Sequence, residues 1–186
     1  GALDPGEECD DGNLDSYDSC TSSCTINDHD IGDPCRCTAG CLDQDPTAGT
    51  IVGCENVEVP ADGSATLACG RSISSTTPPV TRYSAEGSCM LMALRCAGSG
   101  PVCGMAPVTG DVDAFACPTG FVAVTDVQTV MGATVTTKVC LRPCDAQNDC
   151  RWNAYEDGGP FDGTCGQWQC LQDVGSGQFV CGDPRR

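Results

Sequence analysis

Histidine occurs once in this 186-residue chain, at position 29, and lysine once, at position 138. A Ser-His-Asp or Cys-His catalytic arrangement would therefore have to be built on His29. That residue sits in an acidic turn-forming stretch, Asn27-Asp28-His29-Asp30, and reads as an exposed loop histidine. No C-x2-C pair occurs, which argues against zinc ribbons, thioredoxin-like exchange and cytochrome-type haem attachment. Nucleophile-elbow, zinc-protease, P-loop and dinucleotide-binding fingerprints are missing too. Long apolar runs are lacking: the best, Met90 to Leu94, stops at Arg95, far short of the ~20 residues a membrane helix needs. Val, Leu, Ile and Phe together make up 31 of the 186 residues. That is below the ~20% level at which an uncross-linked chain tends to disorder, so cross-links must compensate for a thin core.

The cross-links are what the chain has in abundance. Eighteen residues are cysteine: Cys9, Cys20, Cys24, Cys35, Cys37, Cys41, Cys54, Cys69, Cys89, Cys96, Cys103, Cys117, Cys140, Cys144, Cys150, Cys165, Cys170 and Cys181. Thiols at this density are tied up, and without histidine partners or C-x2-C pairs disulfides are the expected form. The reading is an exported protein of an oxidising compartment, extracellular or on the cell surface. Gly1 reads as a mature or trimmed N-terminus. The formal charge of −17 disfavours nucleic acid and anionic membranes. It favours cations, basic partners and solubility.

The expected fold is mainly β, small and disulfide-rich, with short strands, hairpins, long loops and little helix. Three regions are expected. Residues 1–34 form an acidic cysteine-rich arm, 35–116 a disulfide-linked β-rich region, and 117–186 a hairpin followed by a cysteine-dense sub-domain. Val57-Glu58-Val59 and Ser64 to Cys69 read as short alternating stretches around an Ala61-Asp62-Gly63 turn. Ser72 to Pro79 reads as an exposed loop. Cys89 to Cys96 fits either a buried strand or two helical turns. Phe121–Val130 and Ala133–Cys140 are rich in valine and threonine and flank Met131-Gly132. They predict a hairpin with a positive φ at Gly132.

The opening stretch Gly6-Glu7-Glu8-Cys9-Asp10-Asp11-Gly12-Asn13, followed by Cys20-x3-Cys24, resembles the short cysteine-rich repeat of myxobacterial-type secreted and surface proteins. The likeness covers residues 1–28 only. The repeat's opening cysteine has no counterpart here, and its Gly-Asp-Gly-Cys reads Tyr17-Asp18-Ser19-Cys20. The resemblance therefore implies that one of Cys9, Cys20 and Cys24 pairs with a later cysteine such as Cys35 or Cys37, or looks outside the chain.

For cofactors, Asp10, Asp11, Asn13, Asp15 and Asp18 place five oxygen ligands within nine residues around Gly12, a calcium candidate. Turn and cap formation explains the same residues without an ion. A second acidic stretch, Glu156 to Gly163, is weaker. The leading functional expectation is a non-enzymatic secreted or cell-surface structural protein in a fibre, coat or adhesin, a filament-type assembly. Its partners would be copies of itself or other extracellular proteins, with no nucleic acid and no direct membrane insertion. The alternatives are a ligand-binding or inhibitory module, calcium-dependent or not, and a carboxylate-only hydrolase.

Overall fold

The computed structural model describes residues 3, 5, 7–12, 20, 26–39, 50–73, 80–83, 86–98, 103, 111–145, 150, 153–154, 166–167, 169–173 and 175–182. Its centre is the most hydrophobic segment of the sequence, which is a strand and not helical turns. Ser88 to Leu94 are buried without interruption, the pattern of a strand covered on both faces. Among the described residues there is no helix, and none long and apolar enough to cross a membrane.

Eleven strands follow in chain order: β1 (Pro34–Ala39), β2 (Thr50–Val52), β3 (Thr66–Ile73), β4 (Val80–Tyr83), β5 (Glu86–Ala97), β6 (Val122–Val130), β7 (Ala133–Leu141), β8 (Asn153–Ala154), β9 (Gly166–Gln167), β10 (Gln169–Gln172) and β11 (Phe179–Gly182). The first seven form one antiparallel sheet. β5 holds β3 on one edge through Thr66↔Met92 to Gly70↔Ser88. Its other edge is shared end to end. β1 pairs with Glu86–Ser88, and β7 with Leu91–Ala97. Between them the Gly32 amide donates to the Cys89 carbonyl at 2.9 Å, and the Cys89 amide donates to the Asp33 carbonyl at 2.8 Å.

Where β1 and β7 meet, one charged pair closes the seam. Asp33 is fully buried, and Arg142 Nη2 donates to its Oδ1 at 3.0 Å and to the Ile31 carbonyl at 3.4 Å. Gly53 is required nearby. Its φ is +90°, and a Cβ there would lie 2.5 Å from the Pro34 carbonyl oxygen.

The predicted hairpin is present. β6 and β7 pair from Val122↔Leu141 to Val130↔Ala133. Both turn residues have positive φ, 49° at Met131 and 81° at Gly132, the twist that two-residue hairpins favour. Alternation along the strands separates two cores. Leu91, Ala93, Cys35, Cys89 and Cys140 face one side with Phe115 and Val112. Met90, Met92, Leu94, Val124, Val139 and Leu141 face the other, where Val180 of β11 packs against them. The β10–β11 hairpin thus lies on the second face. The Cys181 amide donates to Arg142 O at 2.9 Å, and the Cys144 amide to Phe179 O at 3.2 Å.

One expected strand is missing. Val57–Val59 is a turn and loop: the Val57 amide donates to Cys54 O at 3.2 Å, and only Val57 is buried. Its alternating pattern reflects a loop pressed onto a core by a disulfide, not a ladder. Ser72 and Ile73 belong to β3, so they are strand and not loop. Ser74–Pro79 and Glu156–Gly163 lie outside the described residues.

Candidate functional site

Seven disulfides are present among the described residues: Cys9–Cys20, Cys35–Cys69, Cys54–Cys89, Cys96–Cys103, Cys117–Cys140, Cys144–Cys170 and Cys150–Cys181. Their Cα separations of 5.3–5.8 Å lie in the ordinary range. The side chains of Cys24, Cys37, Cys41 and Cys165 lie outside the described residues. The expected link from the N-terminal arm to Cys35 is overturned. Cys9 and Cys20 bond each other across a local turn, and Cys35 reaches Cys69, two strands away.

The pairing follows a recurring pattern. Cys69 and Cys89 lie directly opposite each other on β3 and β5, as do Cys170 and Cys181 on β10 and β11. Neither opposed pair bonds internally. Each cysteine bonds outward to a third segment, which ties more of the chain to the sheet. The sulfurs of Cys35, Cys54 and Cys89 consequently lie within 4.8 Å of one another, as do those of Cys144, Cys150 and Cys181. All six are half-cystines, so no thiolate in these clusters is free to bind metal.

Two of the bridges build a groove on the first face. Cys54–Cys89 anchors the 54–65 loop to β5, and Cys117–Cys140 anchors the 111–121 loop to β7. Hydrogen bonds finish each wall. Asn56 donates from its amide to His29 O at 3.1 Å and from Nδ2 to Asp28 O at 2.8 Å. The sole lysine, Lys138, donates from Nζ to Val112 O at 3.2 Å and to Phe115 O at 2.5 Å. Arg95 holds the outer turn through Asp113, at 2.6 Å.

Between the walls lies an open cleft of about 700 Å³, floored by Ile31, Leu91 and Phe121 and flanked by Val59 and Pro118. A second hollow of about 290 Å³ continues it, sharing Pro60 and Ala116. The charged residues lining the two are all acidic: Asp30 and Glu58 in the first, Asp62 and Asp111 in the second. Asp62 is held below its ordinary value by hydrogen bonds from the Ser64 hydroxyl and amide, which outweigh desolvation. Its carboxylate stays charged in mild acid.

His29 is only partly exposed, contrary to its expected loop exposure. Its φ is 57° and its Nδ1 lies 2.6 Å from Glu55 Oε2. Burial pushes Glu55 up, but hydrogen bonds from the Gly53 and Glu55 amides and from His29 outweigh it and hold the carboxyl below its usual range. Of the calcium candidates, Asp10 and Asp11 are described. Asp10 Oδ1 accepts from the Gly12 amide at 2.9 Å, the Asx turn that such residues make. Asn13, Asp15 and Asp18 lie outside the described residues.

The groove residues escaped sequence reasoning. Glu58, Asp62 and Asp111 are separate acids in separate loops, and nothing in their spacing links them. The available signal was that Cys54 and Cys117 each adjoin a loop of turn formers with isolated apolar residues. Comparison with protein-family models, curated proteins and solved structures finds no match.

Proposed function

We propose that the chain is a non-catalytic extracellular module that works by presenting a rigid surface to other proteins of an extracellular assembly. The observation that carries this reading is the groove, whose two walls are each bonded by a disulfide to the central strands. Rigid loops lose little entropy on binding, and cross-linked loops suit an oxidising, protease-rich exterior. The N-terminal likeness to a surface-protein repeat points the same way.

The carboxylate-hydrolase alternative fits less well. Such chemistry needs an acid kept protonated near neutral pH. Glu58, Asp62 and Asp111 are solvent-exposed, and Asp62 is shifted the wrong way. Asp126 is raised, mainly by burial, but it lies on β6 and does not line the groove.

Chemical cross-linking of native material, read by mass spectrometry and alongside electron microscopy, tests the proposal. Cross-links from this chain to other chains are expected. A monodisperse monomer at high concentration, without cross-links, would sink it.

A further inference from the structure

We infer that the acidic groove is the docking site for an extended segment of a partner protein in which basic and apolar residues alternate. The inference rests on the proposed role as an interaction module and names the chemistry of its partner. Three features carry it. The floor is apolar and continuous with the core, since Leu91 and Ile31 are each 1% exposed. The rim carries four carboxylates and no cation. The described cations of this face are committed elsewhere: Lys138 to the carbonyls beneath the 111–121 loop, Arg95 to Asp113, and Arg142 to Asp33.

An apolar floor without charge would suit any greasy segment. An acidic rim without a floor would hold only loosely bound counterions. Together they select a side chain with an aliphatic stem and a cationic head. The smaller hollow has that form: Pro60, Phe115 and Ala116 line it for the stem, and Asp62 and Asp111 for the head. The larger cleft takes the apolar residues of the same segment on Ile31, Leu91 and Phe121. Alternation follows because successive side chains of an extended segment point to opposite sides. Glu58 makes no hydrogen bond or ion pair with another described residue, so it is available to the partner.

The test uses the full chain, oxidised, and a fluorescein-labelled eight-residue peptide of alternating arginine and valine. Two comparison peptides replace arginine with glutamate or valine with serine. Fluorescence anisotropy at roughly physiological salt, where the Debye length is about 8 Å, reads the affinity. The arginine–valine peptide is expected to bind, and both comparison peptides at least tenfold more weakly. Glu58→Lys should weaken binding about tenfold, and Glu7→Lys, with the same change in net charge, less than twofold. Val59→Ser should weaken the arginine–valine peptide but leave the arginine–serine peptide unchanged. Glu58 and Val59 are exposed, so neither change threatens the fold. Equal weakening by Glu58→Lys and Glu7→Lys would mean attraction by the overall charge and overturn the site. Equal binding of the arginine–serine peptide, or no binding at all, would also overturn it. Native cross-links that map away from the groove would sink this inference and leave the proposed function standing. Their complete absence would sink that function, whatever the peptides do.

Discussion

Replacing both cysteines of the Cys117–Cys140 bridge with alanine should destabilise the protein by about 4 kcal/mol. The bridge spans 23 residues, for which loop-closure entropy in the unfolded chain predicts about 3.4 kcal/mol at 25 °C. No other cysteine lies between its ends, so no second bridge shortens that loop. Cys140 is fully buried in the first core, and loss of its sulfur adds about 1 kcal/mol of packing. For a chain of this length the midpoint should fall by ~2–4 °C per kcal/mol. The Cys96–Cys103 bridge, spanning 7 residues, is the internal control, with about 2.4 kcal/mol expected. Guanidinium and thermal unfolding by circular dichroism, without reductant, measure both double variants. Hydrogen exchange adds a local test: the amide of Phe115, bonded to Asp111 O at 3.0 Å, should lose protection when its wall loses its anchor. If removing Cys117–Cys140 costs no more than removing Cys96–Cys103, the loop-entropy argument fails. If protection at Phe115 is unchanged, the bridge does not hold the wall.

Asp126 is 5% exposed and its Oδ1 has no hydrogen-bond partner, while Gln128 donates to Oδ2. Burial raises its pKa, so the folded state holds the proton more tightly than the unfolded state, and its contribution to stability is lost as pH rises through the raised value. Asp126→Asn should therefore stabilise by about 1–2 kcal/mol at pH 7, with the gain shrinking below the ordinary value of 3.8; an equal gain at pH 7 and pH 3 in denaturant midpoints would contradict this. Asp33→Ala should cost about 3–5 kcal/mol by stranding Arg142, and Asp33→Ala/Arg142→Met should cost less than Asp33→Ala alone; a double variant at least as unstable as the single would refute the clamp. Gly53→Ala should destabilise more than Gly132→Ala, because a Cβ meets Pro34 O at 2.5 Å at Gly53 and open space at Gly132; both measured by thermal unfolding, equal losses would mean that backbone conformation alone accounts for them.

The hairpin at 122–141 was legible because its signals are local: β-branched arms and a Met131-Gly132 turn that closes on itself. The buried strand β5 was half legible, since a short apolar run suits helix and strand alike until neighbours supply hydrogen bonds. Val57 misled for the opposite reason. Its burial comes from a loop pinned by Cys54, which mimics the alternation of a strand.

Composition by itself determined the class of the protein: a thin core, an acidic surface and enough cysteines to require an oxidising compartment. Those properties sum over residues and do not depend on where each one lies. Disulfide partners and the groove depended on tertiary structure alone. A disulfide needs two Cα atoms ~5–6 Å apart, and only the antiparallel register brings Cys69 opposite Cys89 while leaving each to bond a third segment. The same register sets Leu91 beside Cys140, where the loops anchored at Cys54 and Cys117 close over it. Acids far apart in sequence thereby share one rim, a juxtaposition that no local pattern encodes.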